Sequence, residues 1–214
     1  MRKMRIHGKN ISKEISEFYG FLLKKYGYQG WWPVNSKYHP KDYDIPKTES
    51  ERFEICVGAI LTQNTSWKNV EKALLLLKSH NLMSPESLAK STEEAIGAAI
   101  RPSGYYRQKA KKLKIFSRFF IGLKKGKKVP TREELLSLWG IGKETADSIL
   151  LYAYKKPYFV VDAYTKRIFG FESTDYDKIQ SLFHKALRKD YRLYNEYHAL
   201  IVRHGKDIKN KSKE

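Results

Sequence analysis

The clearest chemistry in this chain lies in Leu138-Trp139-Gly140-Ile141-Gly142-Lys143-Glu144-Thr145-Ala146, followed sixteen residues after Ala146 by Asp162 in Phe159-Val160-Val161-Asp162. Two glycines flanking Ile141 let the backbone turn sharply between helices and bring its N–H groups close to an oxyanion. The helix opening near Lys143 aims the positive end of its dipole at the same place. A nucleic-acid phosphate suits that arrangement, with Gly140, Ile141, Gly142, Lys143 and Thr145 as contacts; a plain helix-to-helix turn would use the same residues. Asp162 follows three apolar residues and precedes Ala163-Tyr164-Thr165-Lys166-Arg167, where helix resumes. Asp fills an N-cap readily, and a carboxylate held by backbone N–H groups stays ionised. In that state it can stabilise an oxocarbenium-like sugar cation or activate water.

Other residue groups carry chemistry at longer range. Gln63 sits in Thr62-Gln63-Asn64-Thr65, a polar break after an apolar helix. It is either a loop residue or an amide long enough to enter a duplex and fill the hole left when a base is expelled from the stack. Trp31-Trp32-Pro33 lies in a proline-broken stretch, and Trp67 lies at a loop–helix boundary. Aromatic side chains serve a core well, and they also stack on an electron-poor base. Arg101, Arg107, Lys109, Lys111 and Lys112 surround a second glycine turn, Gly104-Tyr105-Tyr106, where a solvated helix face competes with a phosphate-facing patch.

These residues belong to a chain of 214 residues with 42 Lys+Arg against 23 Asp+Glu, a formal charge of +19 and a pI near 9.8. That excess points to a polyanion as partner. An apolar share of 41% with 14% aromatics excludes wholesale disorder. Cys56 is the one cysteine, so the chain supplies no disulfide framework, zinc knuckle or iron–sulfur ligand set. In Phe53-Glu54-Ile55-Cys56-Val57 it reads as an inert core thiol. No apolar run approaches the length of a bilayer span, and the basic N-terminus leads into no apolar signal segment. The expectation is an intracellular protein, cytoplasmic or nucleoid, from a reducing compartment, without membrane contact.

The elements that must position these groups are helical. Ile11 to Tyr26 carries an apolar stripe and stops at Gly27; Tyr28 to Thr48 is broken by Pro33, Pro40 and Pro46. Glu49 to Leu61 places Phe53, Cys56, Val57, Ile60 and Leu61 on one face, and a further helix runs through Val70, Leu74 and Leu77. Ser84-Pro85 is a cap with a first-turn proline; Ser91 with Glu94 and Thr131 with Glu134 fit capping boxes. Helix is expected over Tyr106–Leu123, a basic loop over Gly122–Lys128, and helix again over Glu144–Tyr154, Asp177–Leu187 and Leu193–Val202, with a frayed tail over Lys209–Glu214. Phe159-Val160-Val161 is extended but too short to found a sheet. The fold class is all-α.

Taken in order, these motifs resemble the endonuclease III superfamily of helix–hairpin–helix DNA glycosylases, from about Trp31 to Lys206. Leu61-Thr62-Gln63-Asn64-Thr65 looks like that family's wedge loop, Gly104-Tyr105-Tyr106-Arg107-Gln108-Lys109-Ala110 like its G-x-Y-x-x-K-A segment, Leu138–Ala146 like the hairpin, and Val161-Asp162 like the catalytic aspartate. The bifunctional members carry a Schiff-base lysine where this chain has Glu144. A carboxylate cannot attack the sugar C1′ as an amine does, and Lys143 points elsewhere, about 100° around the helix. The family's four-cysteine cluster motif is absent after His204-Gly205-Lys206. Trp-Trp-Pro, Thr-Gln-Asn-Thr, Arg-Pro-Ser-Gly-Tyr-Tyr, Gly-Ile-Gly-Lys-Glu and His-Gly-Lys are together most similar to the 3-methyladenine DNA glycosylase branch that lacks the cluster.

The resemblance implies a two-lobed fold, with a helical barrel over 47–155, a second lobe from 1–46 plus 156–214, and Asp162 at the cleft between them. It implies a catalytic Asp162, a Gln63 wedge, and a base pocket of Trp31, Trp32, Pro33, Trp67 and Lys206, with Trp32 and Trp67 sandwiching the base. Phosphates are expected on the hairpin and on Gly104, Tyr106, Arg107 and Lys109. No cofactor is expected beyond a monovalent cation (Na+ or K+) on the carbonyls of Leu138 and Gly140. The activity implied is monofunctional excision of a damaged purine, 3-methyladenine or a related alkylpurine, from double-stranded DNA by a monomer. Hypoxanthine and 8-oxoguanine are the alternative lesions, and a non-catalytic DNA-binding module is the alternative of another class.

Overall fold

The computed structural model describes residues 10–211 as helices joined by short loops, with one isolated bridge between Val34 and Lys37 and no strand among the described residues. The chain separates into two compact units. One holds Val34–Lys37 and Asp44–Tyr154; the other holds residues up to Pro33, Tyr38–Tyr43 and everything from Lys155 onward.

The first unit is built on α2 (Glu49–Leu61). Thr48 caps it, accepting from the Glu51 N–H while the Glu51 carboxylate reaches back to the Thr48 N–H. Its nine residues from Phe53 to Leu61 are all buried, rather than one face of them. Helices α3 (Trp67–Ser79), α6 (Tyr106–Gly126) and the segment after α8 cover it on several sides. Even Glu54 is buried, its charge met by Lys78 Nζ at 2.8 Å and by the Asn35 N–H at 3.0 Å. Burial pushes the Cys56 thiol far above its ordinary pKa, which leaves it an inert core group.

Helix α4 (Pro85–Lys90) opens on the Ser84 cap with Pro85 in its first turn, as the sequence suggests. Helix α5 (Glu93–Ala99) departs from it. Thr92, not Ser91, accepts from the Ala95 N–H, while the Ser91 hydroxyl donates to the Ser87 carbonyl at the end of α4. Both residues suit a cap, and the closing of α4 claims the first. Helix α6 packs Ala110, Leu113, Phe116, Phe120 and Leu123 inward and runs through Gly126, so the basic loop expected from Gly122 is mostly helix. Short α7 (Arg132–Leu136) and α8 (Lys143–Ser148) form the hairpin legs; α8 then widens into a π-helical turn over Ile149–Ala153.

In the second unit, α1 (Ile11–Tyr26) packs against α10 (Tyr176–Ala186) and α11 (Tyr191–Lys211), and α9 (Ala163–Phe169) packs against α11. Its core is aromatic. Phe159 and Phe183 stack with centroids 4.0 Å apart, and Tyr194 and Tyr197 meet Phe159 edge-on. The Tyr197 hydroxyl donates to the Ile15 carbonyl at 2.7 Å. Helix α11 continues well beyond Val202 and makes the start of the expected frayed tail helical; residues 212–214 lie outside the described residues. Gly205 lies within that helix because a Cβ there would fall 2.1 Å from the Tyr164 ring, so α9 and α11 approach closely.

Candidate active site and DNA-contact surface

Asp162 stands where an extended segment turns into helix. Phe159, Val160 and Val161 are buried, yet no strand pairs with them. Side chains of α10 take the strand's place. Gln180 donates to the Phe159 carbonyl at 2.8 Å, His184 Nε2 accepts from the Phe159 N–H at 3.0 Å, and the Tyr176 hydroxyl accepts from the Val161 N–H. Backbone groups buried away from water require such partners. The segment therefore delivers Asp162 to the N-cap of α9 in a fixed pose.

There, Oδ1 accepts from the Thr165 N–H at 2.7 Å and from the Thr165 hydroxyl at 2.8 Å. Oδ2 faces His198 of α11, whose Nε2 is 3.7 Å away; the two side chains are 12% and 9% exposed. Burial raises the Asp162 pKa, but His198 and the Thr165 donors outweigh it, and the net shift is downward. The carboxylate thus stays ionised, with one oxygen committed to the cap and the other facing His198. Sequence reasoning missed His198, because thirty-six residues and two intervening helices separate it from Asp162.

The hairpin shows a division of labour that the residue types alone do not reveal. Gly140 adopts φ +79°, a left-handed conformation that favours glycine. The Ile141 side chain is buried, and its N–H closes the turn on the Leu138 carbonyl at 3.1 Å. Ile141 is therefore an anchor and not a phosphate ligand. Thr145, expected among the phosphate contacts, is also inside, where its hydroxyl accepts from Gln63. Gly142 at the α8 N-cap is exposed and Lys143 half-exposed, which leaves the first turn of α8 open to an anion. Fully buried Asp147 braces the two legs through a two-point contact with Arg132, at 2.7 and 3.1 Å. Glu144 is exposed on the first turn of α8.

Around the second glycine turn, Gly104 has φ +68° and Tyr105 is left-handed at φ +47° and 65% exposed. Tyr105 is an outward aromatic that the sequence reading passed over. Arg107 is exposed, while Tyr106 packs against Gly97 with the Arg101 guanidinium over its ring. Lys109 corrects an expectation. Instead of facing phosphates it is 1% exposed, and its ammonium donates to the carbonyls of Leu61 and Ser103 at 2.9 and 2.7 Å. Helix ends leave carbonyls without partners, and Lys109 satisfies one at the end of α2, next to Gln63. Burial, with the nearby Lys112 charge second, pulls its pKa down to about 8.

The aromatic candidates are largely enclosed: Trp32 is 7% and Trp67 9% exposed, Trp31 is half-buried and Pro33 buried. Trp32 belongs to the unit of Asp162 and Trp67 to the unit of the hairpin. A loop from Gly27 to Tyr43 carries Trp31, Trp32 and Pro33. Buried Glu196 of α11 grips it near both ends, accepting from the Gln29 N–H at 2.6 Å and the Tyr43 hydroxyl at 2.9 Å. Lys206 is exposed on α11. No helix among the described residues is long and apolar enough to cross a membrane.

A glycine-turned helical hairpin thus precedes an aspartate that is capped and ionised. The chain belongs to the HhH-GPD superfamily of base excision DNA repair proteins, which it matches over residues 57–188. It is 44% identical over 211 residues to a Methanocaldococcus jannaschii protein assigned as a DNA repair glycosylase, with 92% of this chain and 89% of that protein covered. It is also similar to the H. pylori 3-methyladenine DNA glycosylase solved with 1,N6-ethenoadenine, at 31% identity and a TM-score of 0.70, covering 92% of this chain and 96% of that one. The fold recurs at 21% identity and a TM-score of 0.69 in an endonuclease III–DNA complex, over 89% of this chain and 84% of that one. The protein is thus a DNA glycosylase of base excision repair.

Proposed function

We propose that this glycosylase is monofunctional: it extrudes an alkylated purine, 3-methyladenine or a close relative, and hydrolyses the N-glycosidic bond without cutting the strand. The observation that carries the reading is Asp162, ionised, fixed through Oδ1 and with Oδ2 beside His198. An N3- or N7-alkylated purine is already a cationic leaving group. The C1′–N bond breaks with its electron pair passing to the base, and Oδ2 stabilises the positive charge that develops on the sugar. Water then adds to C1′ and loses its proton. The residues assigned here include no general acid, and a cationic base requires none.

Glu144 supports the absence of lyase activity, because a carboxylate forms no Schiff base with C1′. The likeness to the H. pylori 3-methyladenine enzyme supports the lesion class. Gln63 fills the vacated position, Trp31, Trp32, Pro33 and Trp67 receive the base, and Lys206 lies near it. The N–H groups opening α8, with Lys143, Gly104, Tyr106 and Arg107, hold phosphates. A monovalent cation on the hairpin would share the carbonyls of Leu138 and Gly140, each of which accepts one hydrogen bond and keeps a second lone pair; it would add positive charge beside a phosphate. The enzyme acts as a monomer on duplex DNA inside the cell.

The deciding experiment is release of free base from duplexes carrying 3-methyladenine, 7-methylguanine, hypoxanthine or 8-oxoguanine, with borohydride present in a parallel set. Release of the two methylated purines with no covalent adduct is expected. Preferential release of hypoxanthine or 8-oxoguanine overturns the lesion assignment, a trapped adduct overturns the monofunctional assignment, and DNA binding without any release leaves a non-catalytic module.

A further inference from the structure

The side chain of Gln63 does not hang free at its loop. Its Nε2 donates to the Gly140 carbonyl at 3.2 Å and to the Thr145 hydroxyl at 2.9 Å, so both amide hydrogens have partners on the hairpin. Its Oε1 accepts from the ammonium of Lys112, on the inner flank of α6. The Lys112 stem lies across Gly140 so closely that a Cβ on that glycine would fall 2.4 Å from Lys112 Cε. Gly140 therefore serves twice, by its left-handed φ of +79° and by leaving room for this lysine.

The surrounding backbone is already fixed. Lys109 holds the Leu61 carbonyl, the Thr62 hydroxyl donates to the Gly58 carbonyl, and the Asn69 amide donates to the Thr65 hydroxyl. Without Lys112 the Gln63 amide keeps its two Nε2 contacts on the hairpin and loses the charged contact on Oε1. A carbonyl oxygen toward the hairpin would face the Gly140 carbonyl, which disfavours that sense, and the ammonium on Oε1 reinforces the observed one from the other side. Exposed Arg107 and Lys111 on the same helix are better disposed than half-buried Lys112 to meet phosphates.

We propose that Lys112 is the positioning residue of Gln63, holding the wedge amide in one orientation against the hairpin so that it enters the duplex from a pre-set pose. The inference rests on the reading of Gln63 as the wedge. Immobilising a rotamer-rich side chain in advance removes an ordering penalty from the binding event. It also makes three separate stretches of sequence, the polar loop, the hairpin and α6, act as one device.

The test is a double-mutant cycle on single-turnover excision at saturating enzyme, with Lys112→Met, which keeps the stem over Gly140, and Gln63→Ala. Lys112→Met is expected to slow excision several-fold while leaving the salt dependence of duplex binding unchanged, and to have no effect in the Gln63→Ala background. Non-additivity of at least about threefold is the signature of direct coupling. An equal loss in both backgrounds, with the salt slope reduced by about one, would make Lys112 a phosphate contact and overturn the proposal. A second measurement reads the contact without catalysis: the Gln63 side-chain amide resonances of the intact protein, identified by their loss in Gln63→Ala. They are expected to be dispersed in the wild type and averaged in Lys112→Met; unchanged resonances refute the positioning role. If Gln63→Ala excises normally while Lys112→Met averages those resonances, the wedge reading fails and the Lys112 contact stands.

Discussion

Replacing Asp162 by Asn removes a charge and almost nothing else. The Asn side-chain oxygen still accepts from the Thr165 N–H and hydroxyl, so the α9 cap survives, Asn and Asp being near-equal in that position. The pocket around it is only 12% exposed on the Asp side. A developing sugar cation about 4 Å from Oδ2, at an effective dielectric near 20, gains about 4 kcal/mol from the carboxylate. Losing it should slow single-turnover excision by about a thousandfold, with duplex affinity unchanged. Asp162→Ala should show the same chemical loss plus about 1 kcal/mol of stability from the broken cap, a fall in Tm of about 2–4 °C for a chain of this size. Rapid-quench release of base with enzyme in excess, beside thermal melts of both variants, separates the two effects. Excision by the Asn variant within tenfold of wild type would refute the electrostatic role of Asp162.

Two further expectations concern the scaffold. Burial raises the Glu196 pKa above its ordinary value of 4.5, against the pull of the Gln29 N–H and Tyr43 hydroxyl. Between 4.5 and the raised value the folded protein holds a proton that the unfolded chain has released, so stability falls as pH rises through that window. In Glu196→Gln the fall is removed: Tm of the variant relative to wild type should be more favourable at pH 7 than at pH 4, and the reverse ordering would contradict the burial argument. Gly205→Ala should lower Tm even though Ala is the better helix former by about 1 kcal/mol, because its Cβ would lie 2.1 Å from the Tyr164 ring and overpacking costs about 1–3 kcal/mol. A rise in Tm would show that α9 yields.

Features set by neighbours in sequence were readable before any coordinates. The hairpin, the Thr131 cap with Glu134 and the N-cap role of Asp162 depend on residues three or four apart, and each is present. Features set by packing were not. Lys109 looks identical in sequence to Lys111 and Lys112 beside it; only the approach of α6 to the end of α2 turns it inward. The run Phe53–Leu61 hides how completely α2 is covered, since a one-sided stripe and a central helix share the same apolar residues. In sequence the last helix reads as ending at Val202, where apolar periodicity fades and a glycine follows; that glycine instead marks a close helix contact within α11. Glu196 gave no signal at all: both of its partners lie more than 150 residues away.

The stretch Phe159–Val161, tied down by Gln180, His184 and Tyr176, has a consequence for how this enzyme tolerates change. A strand locked into a ladder moves only if its whole register moves. Here, three separate groups on one helix set how far the Asp162 carboxylate protrudes, so its reach can be altered by single substitutions on α10 without a shift of strand register.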